Sequence, residues 1–206
     1  MRDDFGEQIA RTLTQLADIL EGLQPDEWGA QSLCSRWTVR DVAGHIVWRV
    51  GGSYGEMLRS TLPMLTLSRT SMDSLTDAVS RQEAEATSPE QLVQRLRRIA
   101  ALRLAGIGRT GLNDLVESVV HTYDIVQPLG VPIDVDQDAS RRVALRGLLF
   151  ASPDRRVVVA RNTLHATDAG WAIGRTKPGA GRIIDGSAQG IVLYLFGRRP
   201  LAVAAA

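Results

Sequence analysis

Three residues of this chain could together hold a divalent metal ion: His45, Glu117 and His121. Glu117 and His121 are four apart, so on a helix they share one face and can reach a common point. His45 lies far upstream and can close such a site only from a second helix. Two imidazoles and one carboxylate form a three-ligand set of the kind that holds catalytic zinc with a fourth position open. Arg49 stands four residues after His45 and faces the same way. It could grip a substrate carboxylate through a bidentate contact, or pair with a nearby protein carboxylate. Asp124, three after His121, could orient a ligand imidazole or be a solvated aspartate. Asp41 is placed to cap its helix.

These residues need helices, and the first three quarters of the chain supply the pattern. Ile9, Leu13, Leu16, Leu20 and Leu23 recur at helical intervals within 4–23. Thr38, with Asp41 three residues on, opens a second helix expected to run to about Leu62, before Pro63. Ser88-Pro89 starts a third, reaching about Ala105. Leu112–Leu129 forms a fourth, stopped by Gly130-Val131-Pro132, and a shorter one is expected over 138–150.

On a helical wheel, Val39, Val42, Ala43, Ile46, Val50 and Met57 make the apolar stripe of the second helix, with His45 beside it. Glu117, His121 and Asp124 lie opposite the stripe of the fourth. Both polar faces could simply be solvated, or they could line one shared cleft. Periodicity alone favours the solvated reading, because charged helix faces are usually wet. Gly52, beside His45 on the wheel, could leave room for a ligand.

The last quarter changes period. Residues 157–160, 163–167, 171–173 and 182–184 read as short strands, with a hairpin turn at Asp168-Ala169-Gly170. A helix over 187–196 closes the chain. The expected organisation is a helical bundle over 1–150 and a small α/β domain over 151–206.

Composition excludes several classes. Net charge is +1, which argues against a nucleic-acid or anionic-membrane partner. No apolar run approaches a membrane span, and the N-terminus has no signal-peptide core. Cys34 is the sole cysteine, so no intrachain disulfide can form, which fits a cytoplasmic location. Cys34 reads as a small structural side chain, Trp37 as a loop anchor, His165 as a strand residue and Asp168 as a turn residue.

Two segments carry a family resemblance. Ser35-Arg36-Trp37-Thr38-Val39-Arg40-Asp41-Val42-Ala43-Gly44-His45 resembles the first signature of the mycothiol-dependent maleylpyruvate isomerase family. The stretch Glu117 to Ile125, followed by Pro128-Leu129-Gly130, resembles the second. Ala166 to Trp171 and Gly197-Arg198 are similar to the family's small C-terminal domain. The chain departs from the pattern at Arg36, where the family often has glycine, and in its short C-terminal part.

The resemblance implies a mainly α fold: a DinB-like four-helix bundle with a small C-terminal α/β domain. It implies His45, Glu117 and His121 as ligands of zinc or another divalent ion, and so favours the cleft reading. It also implies mycothiol as thiol cosubstrate and a small electrophilic substrate. A zinc-bound thiol is held as thiolate, which can attack an electrophilic carbon. Addition, bond rotation and elimination would make a cis–trans isomerase. Addition or displacement alone would make an S-transferase. Two other classes stay open at this stage: a metal-binding regulator or partner-binding module without catalysis, and a metal-dependent hydrolase.

Overall fold

The computed structural model describes residues 4–52, 55, 72–175 and 181–201. The chain divides into two compact units, Met1–Asp134 and Val135–Ala206. The division falls earlier than the expected boundary after residue 150.

The first unit contains five helices among the described residues: α1 Gly6–Glu21, α2 Val39–Gly51, α3 Met72–Ala86, α4 Pro89–Leu104 and α5 Leu112–Leu129. α1 buries Ile9, Leu13, Leu16 and Leu20 completely or nearly so, the stripe its spacing predicts. That stripe packs on α4 and α5. α2 lies against α3, α4 and α5 and is the helix that ties the unit together.

Thr38 and Asp41 form a full capping box at the start of α2. Thr38 Oγ1 accepts from Asp41 N at 3.2 Å, and Asp41 Oδ2 accepts from Thr38 N at 2.9 Å. Ser88 and Gln91 make the same box at the start of α4, with Pro89 in the first turn. Both cap assignments from sequence hold.

α2 is shorter than expected. It ends at Gly51, and Gly52 is already extended, with ψ 149°. Two adjacent glycines are poor helix formers and let the chain leave here. Met57 and the expected stop near Leu62 and Pro63 lie outside the described residues. α3 was not expected at all. α5 matches its expected span and ends on Gly130, whose φ of +68° makes a left-handed cap.

Gly44 explains how α3 reaches α2. A Cβ at Gly44 would stand 3.0 Å from Ser80 O and 3.0 Å from Ala84 N. Any side chain there would push the two backbones apart by a few tenths of an ångström.

The second unit holds α6 Gln137–Gly147, α7 Pro153–Arg161, strands β1 Thr163–Ala166, β2 Trp171–Gly174 and β3 Ile183–Gly186, and α8 Ala188–Leu195. The sheet order is β2-β1-β3, with β1 antiparallel to β2 and parallel to β3. Leu164, Trp171, Ile191 and Leu193 form its core, and Trp171 Nε1 donates to Ser140 Oγ at 2.9 Å.

The strand expected over 157–160 is instead part of α7. Three consecutive valines read as β, but Ser152-Pro153-Asp154 before them is a helix start, and only Val159 of α7 is buried. Asp168 does lie in the β1–β2 turn, and its Oδ1 also accepts from Ala188 N at 2.7 Å at the start of α8. No helix among the described residues is long and apolar enough to cross a membrane.

Candidate metal centre

α2 and α5 bring His45, Glu117 and His121 together inside the first unit. His45 is only 4% exposed, so its side of α2 is not a solvated face. The wheel placed it off the apolar stripe correctly. What the wheel could not show is α3, which covers that side of α2 through the close approach at Gly44.

Glu117 and His121 sit one turn apart on α5 and are partly buried. Glu117 Oε2 lies 3.3 Å from His45 Nε2 and 3.3 Å from His121 Nε2. One carboxylate oxygen is thus flanked by two ring nitrogens from different helices. The two imidazole centroids are 4.6 Å apart, with ring planes at 70°.

The other nitrogen of each imidazole has its own partner. His45 Nδ1 is 3.0 Å from Ser80 Oγ on α3, and Ser80 is fully buried. His121 Nδ1 is 3.0 Å from Asp124 Oδ2, and Asp124 is fully buried. With a metal ion on both Nε2 atoms, Nδ1–H in each ring would satisfy these contacts; without one, each Nε2–H donates to Glu117. Metal-binding histidines are usually oriented in this way by a group on the far nitrogen.

Around this set, Trp37 packs its ring 4.8 Å from that of His45 and 6.0 Å from that of His121. Arg49 Nε lies 3.3 Å from Glu117 Oε1. Arg49 is therefore beside the cluster, paired with the carboxylate oxygen that the imidazoles do not flank. Of the two roles open to it from sequence, pairing with a protein carboxylate is the contact present.

The charges follow from burial and pairing. Burial pushes His45 down from its ordinary 6.5 to about 4, with the hydrogen bond to Glu117 opposing and the positive charge of His121 and Arg49 adding. Burial alone would also lower His121, but its contacts with Asp124, Cys34 and Glu117 outweigh that and raise it well above 6.5. Burial would raise Glu117, yet hydrogen bonds from His121 and His45 hold it well below the usual carboxylate range. The metal-free cluster therefore carries an anionic Glu117, a neutral His45 and a cationic His121.

The donor set fits a divalent ion. Two ligand atoms about 2.0–2.1 Å from zinc at the tetrahedral angle stand about 3.3–3.4 Å apart. The distances between Glu117 Oε2 and each Nε2 match that edge, and all three donor atoms lie within 4.8 Å of one another.

Two contributors escaped the sequence reading. Ser80 lies on the helix that was not expected, so nothing placed it near His45. Cys34 has no histidine nearby in sequence, but its thiol donates to Asp124 Oδ2 at 3.2 Å and lies 4.0 Å from His121 Nδ1. Its place directly before the first signature was the available signal. His165 belongs to the second unit, where it makes an exposed pair with Asp185 at 2.8 Å.

A family model described as the mycothiol maleylpyruvate isomerase N-terminal domain matches residues 9–122, a span that includes all three candidate ligands. The chain belongs to this family. The family takes its name from an enzyme class, the maleylpyruvate isomerases. Among solved structures, the chain is similar to the mycothiol-dependent maleylpyruvate isomerase, with a TM-score of 0.56 and 18% identity over 94% of this chain and 88% of that one. A histidine-to-alanine mutant of that enzyme gives 0.55 and 17%, with the same coverage. This likeness is one of fold: the DinB-like helical bundle with a small C-terminal α/β part. Comparison with curated proteins gives no match.

Proposed function

We propose that this chain is a metal- and thiol-dependent enzyme of the maleylpyruvate isomerase type. In this reading it acts as an isomerase or S-transferase on a small electrophilic substrate, with mycothiol as cosubstrate. The family match supports the class. The observation that carries the reading is Glu117 Oε2 standing 3.3 Å from the Nε2 atoms of both His45 and His121.

His45, Glu117 and His121 would hold zinc; their two nitrogens and one oxygen also admit other divalent ions. Zinc bound there supplies the Lewis acidity that keeps a thiol ionised at neutral pH. The chain's own residues do the rest. With the ion on both Nε2 atoms, Ser80 and Asp124 would accept from the Nδ1–H of the two imidazoles and hold the rings in place. Trp37 walls the centre against water on one side. Arg49, whose Nε pairs with Glu117 Oε1, has a planar guanidinium that could also bind a substrate carboxylate bidentately.

The test is turnover of maleylpyruvate by the zinc-loaded protein, with and without mycothiol. The expected result is isomerisation that needs both. Turnover that persists without thiol would move the chain to the hydrolase class. Zinc binding with no thiol-dependent chemistry on any electrophile would leave a metal-binding module.

A further inference from the structure

Cys34 lies in the loop before α2, and that loop is tied down without the help of its thiol. Trp37 N donates to Cys34 O at 2.9 Å, Cys34 N donates to Ser32 Oγ at 3.1 Å, and Gln31 Nε2 donates to Cys34 O at 2.8 Å. Leu33 N donates to the backbone oxygen of Asp124 at 3.0 Å, which pins the loop to α5. The thiol is left for something else. It donates to Asp124 Oδ2 at 3.2 Å, the oxygen that also lies 3.0 Å from His121 Nδ1.

The same geometry argues against a nucleophile. An activated cysteine needs an imidazole nitrogen able to take its proton. The nearer nitrogen of His121 is 4.0 Å away and is already engaged by Asp124.

We propose that Cys34 is a positioning residue for the metal centre: its thiol steadies Asp124 Oδ2 on His121 Nδ1, and so fixes the tautomer and ring orientation that present His121 Nε2 beside Glu117. The thiol and the imidazole hold one oxygen between them. The proposal rests on the reading that His121 is a metal ligand.

The test compares wild type with Cys34→Ala, Cys34→Val and Cys34→Ser, each alone and in an Asp124→Asn background. Zinc affinity is read by competition with a chromophoric chelator. The His121 Nδ1 proton is read by NMR in the metal-free protein. Partners in direct contact with a ligand histidine are worth about 10–100-fold in metal affinity, so a residue one bond further out should cost about 3–10-fold. Alanine and valine are expected to show that loss and faster exchange of the Nδ1 proton. Serine, which keeps a donor, should recover most of both.

In the Asp124→Asn background the same Cys34 changes should cost nothing more, because Cys34 acts through Asp124. A role in packing alone would cost the same in either background. Unchanged affinity and exchange in Cys34→Ala and Cys34→Val, a serine variant as weak as alanine, or full additivity with Asp124→Asn would each overturn the proposal. If wild type binds no zinc, the metal reading fails, while Nδ1 proton exchange in the metal-free protein still decides the role of Cys34.

Discussion

His45 Nε2 and Glu117 Oε2 lie 3.3 Å apart although 72 positions separate them in the chain. The contact joins α2 to α5 at the point where His121 Nε2 meets the same oxygen. Everything inferred about the centre depends on this three-way meeting, and it makes several outcomes measurable.

Asp124→Asn keeps the shape of the side chain but removes the charge that holds His121 Nδ1. Zinc affinity should fall by about 10–100-fold with the fold intact. Ser80→Ala, which removes a neutral partner from His45 Nδ1, should cost less, about tenfold or below. Competition titration with a chelator ranks the two. A larger loss for Ser80→Ala would contradict the assignment of Asp124 as the stronger support.

The charge state predicts a proton count. His121 sits well above 6.5 in the metal-free chain, so at neutral pH it carries a proton that a metal ion must displace. His45, near 4, is already neutral there, and Glu117 is ionised. Zinc binding at pH 7 should therefore release about one proton. Affinity should weaken about tenfold per pH unit as pH falls below the His121 value. Calorimetry in buffers of different ionisation enthalpy reads the proton directly. Release of none, or affinity that rises toward acid pH, would count against this charge distribution.

Arg49→Gln separates binding of substrate from binding of metal. Zinc content should stay near that of wild type, because the three ligand atoms are untouched. KM for a carboxylate-bearing substrate should rise about 10–100-fold, the worth of a charge-assisted contact. Steady-state kinetics beside elemental analysis resolves the two. Loss of zinc with unchanged KM would assign Arg49 to holding Glu117 instead.

Gly44→Ala tests the approach of α3 to α2. The added Cβ would meet backbone atoms of Ser80 and Ala84 at 3.0 Å, and backbone cannot step aside as a side-chain tip can. The expected cost is about 1–3 kcal/mol of stability, with weaker zinc binding because Ser80 moves off His45. Thermal unfolding and the chelator titration should shift together. A variant as stable as wild type would show that this contact is not tight.

Much of this is legible in the sequence. The capping box at Thr38 and Asp41, the stop at Gly130 and the 112–129 span of α5 all follow from local rules of backbone and side chain. The i, i+4 pair of Glu117 and His121 is equally local. The burial of His45 is not, because it depends on α3, whose weak apolar pattern gave no sign of a helix pressing on Gly44. Ser80 was out of reach for the same reason. The contact of Cys34 with Asp124 was out of reach because the two are close only in space. The valines at 157–159 misled because β-branched side chains outweighed a helix start that was present at Ser152-Pro153. Local signals located most of the elements; the contacts between them decided which polar residues were buried.

Metal content measured by elemental analysis, on protein purified without added metal or chelator, tests the centre most directly when wild type is set beside His121→Ala. With only three ligands from the chain, loss of one should cut affinity sharply. About one zinc or other divalent ion per chain in wild type, and little in His121→Ala, is the predicted result. Equal, stoichiometric metal in both proteins, or none in wild type even after reconstitution, would contradict it.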